Sequence, residues 1–317
     1  MQLSKLEIKK IAKSYNLGNV KSVKLMAKGL VNYNFSIKTD KGDYIIRGLG
    51  KKWDDYREKK LEFQFKVIKY LKLKKFPYKL PYPILSNEKK EVLRINKKTL
   101  WVYEKIKGTC GRKINNEILK ELGKAIAIYH KYIRGFKIKK GNKIFDLDWV
   151  RCEYEKFKKI KPKNEIDRLV YENVSIFEKA LNEFSKKKIS KNLLVTHSDF
   201  NLGNVVFDKN KIVGIIDFEN LQVAPRIYDL SQAIKFSCVS TKINKKCSEI
   251  IIKEYEKLNP LKKDEKDSII DLIIFGSCCE FAWFYSYFKK STDKKRFFIS
   301  SEVKLIKNLL KDKLLKC

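Results

Sequence analysis

Residues 193–230, LLVTHSDFNLGNVVFDKNKIVGIIDFENLQVAPRIYDL, restrict what this 317-residue chain can fold into more than any other stretch. Within them, 204–207 and 212–216 read as two short strands around the turn 208–211. Pairing Phe207 with Ile212 sets Asn204 near Ile215. Asp217 is then a diagonal neighbour, about 7–8 Å from Asn204 between Cα atoms. One amide oxygen and one carboxylate therefore point at the same space. Residues 193–196 read as a preceding strand, and the loop that leaves it carries His197 and Asp199.

This spacing predicts a particular chemistry. Magnesium prefers hard oxygen ligands, and nucleotide sites supply one or two protein groups, with phosphates and water completing the octahedron. Asn204 and Asp217 are the candidate metal ligands. Asp199, on the loop before the hairpin, is placed to accept a proton from a substrate hydroxyl. A catalytic-loop Asp, an Asn five residues beyond it and a second Asp on metal is how kinases arrange phosphoryl transfer. That reaction demands mainly positioning and charge neutralisation, so a few polar side chains suffice. His197 is expected to shape the loop through hydrogen bonds rather than to act as acid or base. Asp229 reads either as an N-cap for a helix beginning near Leu230 or as an anchor for the catalytic loop.

The rest of the chain divides around this segment. Residues 3–15 carry apolar positions at helical spacing. From Val23 to Gly50 the pattern changes to strands, with runs at 34–38 and 44–47 joined by a turn at 40–43. Helical spacing returns at 55–73, and Pro77, Pro81 and Pro83 then force a loop. Further strands are expected at 92–95 and 99–103, and helices at 118–132, at 166–187 and through the last hundred residues. The expected architecture is α+β in two lobes. Residues 1–104 form a small, mostly β lobe, and 105–317 form a larger, mostly helical one.

The formal net charge is +35, with 72 Lys and Arg against 37 Asp and Glu, and Arg supplies only nine of the basic residues. A nucleic-acid reader would use more Arg, whose planar fork pairs phosphates and base edges bidentately. The Lys excess therefore reads as a solvated surface, and no specific nucleic-acid partner is expected. The seven cysteines fit neither a zinc spacing nor a small disulfide scaffold, and read as reduced thiols of a cytoplasmic protein. The first twenty residues lack the apolar core of a signal peptide. The apolar runs 269–274 and 281–288 are interrupted well before 18 residues, so no membrane span is expected.

The 197–217 pattern, followed by Pro225-Arg226-Ile227-Tyr228-Asp229-Leu230, resembles that of the aminoglycoside phosphotransferase and choline kinase superfamily, which has a protein-kinase-like fold. Gly29-Leu30-Val31-Asn32-Tyr33-Asn34, with Thr39, Gly42 and Tyr44 after it, looks most like the homoserine kinase type II branch. The resemblance implies ATP and Mg2+ as cofactors and a small-molecule alcohol as acceptor. Asp199 would be the base, and Asn204 and Asp217 would hold the metal. Gly29, Asn32 and Asn34 would belong to a loop over the phosphates. Tyr103, Glu104 and Ile106 would lie on the strand and hinge that pair with adenine. The strand lysine that contacts phosphates falls at Arg47 here. Its acid partner would be Glu62 or Glu58, while an alignment on Tyr70-Leu71 puts Gln64 there. A binding module that keeps the fold without phosphotransfer is the alternative.

Overall fold

A computed structural model describes residues 3–26, 32–49, 55–138, 147–189, 192–240, 242–288 and 292–314. The chain divides into two compact units. The first comprises Met1–Thr109 with Val206–Lys209 and Val213–Glu219. The second comprises Cys110–Val205, Asn210–Ile212 and Asn220–Cys317. The sequence reading divides the chain once, at 104/105. It misses that part of the 205–215 hairpin clusters with the N-terminal hundred residues.

In the first unit, α1 (Lys5–Ser14) opens on a capping box. Ser4 Oγ accepts the Glu7 N–H, and the Glu7 carboxylate accepts the Ser4 N–H. Five strands follow: β1 (Val20–Leu25), β2 (Tyr33–Thr39), β3 (Asp43–Gly48), β4 (Val92–Ile95) and β5 (Lys98–Glu104). They form one antiparallel sheet in the order β1-β2-β3-β5-β4. Period-2 alternation gives each strand two faces. Phe35, Ile37, Ile46, Leu100 and Val102 pack against Ile11 and Tyr15 of α1. Ile45, Trp101 and Tyr103 pack against Leu61 and Phe65 of α2 (Asp55–Leu73). Arg47, two residues beyond Ile45, projects from the α2 face.

The hairpin formed by β7 (Val205–Asp208) and β8 (Lys211–Ile215) turns on Lys209 and Asn210. Both edges are tied into the first unit. Thr109 and Phe207 exchange backbone hydrogen bonds of 2.9 and 2.8 Å. Lys79, in the proline-bounded loop, donates to Val213 at 2.9 Å and accepts from Ile215 at 3.0 Å. Gly108 makes the first contact possible: its φ is +134°, and a Cβ there would lie 2.4 Å from the Phe207 carbonyl oxygen.

The second unit is mainly helical: α3 (Asn116–Ile133), α4 (Leu147–Lys158), α5 (Glu165–Ser185), α6 (Ile227–Cys238), α7 (Lys245–Glu256), α8 (Lys263–Asp267), α9 (Ile269–Tyr287) and α10 (Thr292–Leu314). The strand β6 (Leu193–Thr196) pairs antiparallel with β9 (Gln222–Pro225), which the periodicity does not reveal because all four of its residues are buried.

The apolar run 269–274 and residues 281–287 of the second run belong to one continuous helix. Its best 18-residue window has a mean hydropathy of 1.4, so α9 is long and apolar enough to cross a membrane. It is instead a core element, with 67% of that window buried. Phe281 stacks on Phe177 with ring centroids 3.9 Å apart, and Phe275 stacks on Phe184 at 4.6 Å.

Candidate active site

In the second unit, β6 delivers the chain into the loop that carries His197, Ser198 and Asp199. Ser198 takes the left-handed conformation, with φ 63°, which disfavours a residue bearing a Cβ. Asp229 offsets this. Its fully buried carboxylate accepts the His197 N–H at Oδ2 (2.9 Å) and the Ser198 N–H at Oδ1 (2.6 Å). Helix α6 begins at Ile227, so Asp229 lies inside its first turn and is not its N-cap. Of the two sequence readings of this residue, the loop contact is the one present.

His130 extends the arrangement. Its Nε2 lies 3.0 Å from Asp229 Oδ2, and its Nδ1 lies 2.8 Å from the Tyr255 hydroxyl. An Nε2–H donor with the tyrosine donating to Nδ1 satisfies both contacts. His197 is also fully buried and packs against Tyr129 and Phe200.

Asp199 is held by amides. Asn201 Nδ2 donates to Oδ1 at 2.6 Å, and Asn220 Nδ2 lies 3.4 Å from Oδ2. Asn204 Nδ2 donates to the Asp199 backbone carbonyl at 3.0 Å. Because that contact uses its NH2 group, the Asn204 amide oxygen is turned the other way.

In the first unit, Asp217 also adopts a left-handed φ, 65°, at the end of β8. Arg47 Nη2 donates to Asp217 Oδ1 at 2.7 Å and lies 2.9 Å from Glu219 Oε1, to which Nε donates at 3.2 Å. Asn32 Nδ2 donates to the same Glu219 oxygen. Arg47 is only 5% exposed. Burial alone would lower the pKa of its guanidinium, but Asp217 and Glu219 outweigh that and hold it above its ordinary value. Asn34 and Trp101 flank Arg47 across the sheet. The Asn34 Oδ1 and Trp101 Nε1 atoms are buried without a protein hydrogen-bond partner.

The other expected binding residues divide. Gly29 lies outside the described residues. Tyr103 is buried beside Trp101 on the α2 face, Glu104 ends β5, and Ile106 abuts Gly214. Glu62 is not the partner of Arg47. It lies on the solvent side of α2, where Lys66 approaches it at 3.6 Å. Glu58 pairs with Arg94 at 3.2 Å, and Gln64 is the buried polar residue on this part of the helix. A helix exposes only one stripe to the sheet, and both acids fall off it.

Sequence reasoning missed Asn201, Asn220, His130, Tyr255 and the contacts of Glu219. One signal was available: the chain holds only two histidines, so His130 stood out beside the motif histidine.

The model of the phosphotransferase enzyme family matches residues 22–246, well over half of the chain. The chain belongs to that family. A homoserine kinase of Paramagnetospirillum magneticum is 24% identical over 295 residues, covering 90% of this chain and 87% of its own length. One from Agrobacterium fabrum is 26% identical over 286 residues, covering 87% and 83%. Among solved structures, an amicoumacin kinase in complex with AMP-PNP, Ca2+ and amicoumacin superposes with a TM-score of 0.72 at 18% identity, covering 97% of this chain and 94% of its own. A microcompartment-associated aminopropanol kinase gives 0.70 at 14% identity, covering 94% and 95%. These likenesses establish a protein-kinase-like fold, with a smaller, mostly β lobe and a larger, mostly helical one. The chain is a small-molecule phosphotransferase.

In the second unit the Asn204 amide oxygen, and in the first unit Asp217 Oδ2 beside the oxygen that Arg47 engages, are each hard donors of the kind Mg2+ takes. The Arg47 guanidinium, with the unpartnered Trp101 Nε1–H donor across the sheet from it, is the group here that can meet an anion.

Proposed function

We propose that this enzyme moves the γ-phosphoryl group of ATP, with Mg2+, to the hydroxyl of a small amino alcohol, with homoserine the first acceptor to test. One observation carries the reading: Asp199 is held at both carboxylate oxygens by amides, on a loop pinned by Asp229. Asp199 Oδ2 accepts the proton of the acceptor hydroxyl as that oxygen attacks phosphorus. Asn204 and Asp217 would hold the metal, which when bound would neutralise charge on the phosphate oxygens. Arg47 binds phosphate, and Asn32 and Asn34 bracket the same region of the first unit. The homoserine kinase relatives support the acceptor choice, and the adenine nucleotide analogue in the amicoumacin kinase complex supports the donor.

The test is turnover of purified protein with ATP, Mg2+ and an acceptor panel of homoserine, choline, ethanolamine, methylthioribose, fructosamine and an aminoglycoside. Asp199→Asn should lower kcat by at least about a thousandfold while leaving ATP affinity and Tm in place. Undiminished turnover in that variant would remove Asp199 as the base. Nucleotide binding that ignores Mg2+, with no acceptor consumed, would favour the binding-module reading.

A further inference from the structure

We infer that Glu219, and not an acid on α2, is the residue that orients the phosphate-binding cation Arg47. A guanidinium 5% exposed needs a compensating carboxylate at close range, since an unpaired buried charge is strongly destabilising. Among its described side chains, helix α2 does not supply one. Its buried polar residue is Gln64, Glu62 is more than half exposed, and Glu58 pairs with Arg94.

Glu219 supplies it from the catalytic segment itself. The left-handed turn at Asp217 leads into the 3-10 turn Phe218–Asn220, anchored by the fully buried ring of Phe218. That geometry brings the carboxylates of residues 217 and 219 to one guanidinium. Asp217 takes Nη2 at 2.7 Å, and Glu219 takes Nε at 3.2 Å. Glu219 Oε1 also accepts from Asn32, so the same oxygen ties the cation to the start of β2. The acid that aims the cation is thus two residues from the carboxylate that would hold the metal.

The inference rests on the proposed nucleotide binding, and its test separates the two. A double-mutant cycle compares wild type, Glu219→Gln, Arg47→Met and the double variant. KM for ATP, kcat, the Mg2+ concentration for half-activation and Kd for ADP are measured for each. Glu219→Gln is expected to raise KM for ATP by about ten- to a hundredfold, the range of a charge-assisted hydrogen bond, and to lower kcat much less. In the Arg47→Met background it should change KM no further, because a positioning residue acts only through its partner. Full additivity in the double variant, or a shifted Mg2+ requirement in Glu219→Gln, would overturn the assignment. The second outcome would make Glu219 a metal ligand. Should Glu219→Gln fail to fold, Glu219→Asp carries the same cycle, with a smaller rise in KM expected. Wild-type protein that binds neither ADP nor ATP would overturn the inference together with the reading beneath it. Normal wild-type turnover with an additive cycle would overturn the inference alone.

Discussion

At the scale of single residues, the candidate site depends on carboxylates that hold backbone. Asp229 has no exposed surface, accepts two consecutive N–H groups and receives His130 on the same oxygen as the first. Hydrogen bonds to a charged acceptor contribute about 1.5–3 kcal/mol each. Asp229→Asn keeps the volume but replaces an acceptor oxygen with a donor group. We expect it to destabilise the fold by about 2–4 kcal/mol in urea titration and to reduce kcat more than KM, because the loop bearing Asp199 loses its anchor. A variant with wild-type stability and wild-type kcat would show that the loop holds itself.

At the scale of elements, ion pairs join pieces distant in sequence. Glu7 closes the capping box of α1 and also receives Lys98 Nζ at 2.7 Å, which joins α1 to the β4–β5 hairpin. Hydrogen bonding from Lys98, then from the Ser4 backbone, lowers the Glu7 pKa from 4.5 to about 2. A depressed folded pKa gives stabilisation that is present above the unfolded value and lost as pH falls towards the folded one. Wild-type Tm should therefore fall between pH 4.5 and 2, and Lys98→Met should flatten that part of the profile. Helices α6, α9 and α10 meet at a second cluster, where Lys235 lies 2.9 Å from Glu280 and 3.1 Å from Glu302. Two carboxylates share one ammonium there. Burial, with Glu302 adding to it against the opposing pull of Lys235, raises the Glu280 pKa from 4.5 to about 8. The sign is now reversed: stabilisation is complete below about pH 4.5 and gone once pH has risen through 8. Glu280→Gln should remove that slope from a Tm profile taken between pH 5 and 9. An unchanged slope would show that another group titrates there.

At the scale of the whole molecule, a net charge of +35 on 317 residues is a self-repulsion that compaction makes worse. Mobile ions screen it over about 10 Å at 0.1 M salt. Tm should therefore rise as NaCl goes from 20 to 200 mM in differential scanning calorimetry. A falling Tm would mean that local ion pairs such as Lys98 with Glu7 outweigh the global repulsion. The Lys-rich composition also gives anionic nucleotides a favourable long-range field.

Much of this protein was legible in one dimension. Alternation at 34–38 and 44–47 specified β2 and β3, because a strand shows its two faces as period 2. The spacing from His197 to Asp217 specified a loop, a hairpin and three oxygen-bearing side chains, because a tight turn leaves little freedom in where its ends fall. Other features depend on contacts far apart in the chain. That Arg47 answers to Glu219 rather than to Glu62 depends on which stripe of α2 meets the sheet, and no local pattern encodes that. The pairing of β6 with β9, the docking of β7 and β8 on Thr109 and Lys79, and the chain from Tyr255 through His130 to Asp229 are likewise long-range. Local sequence sets backbone preference residue by residue. Which buried charges and unpaired N–H groups find each other is settled only when the chain closes on itself, since each must be matched there or left at a cost of kilocalories.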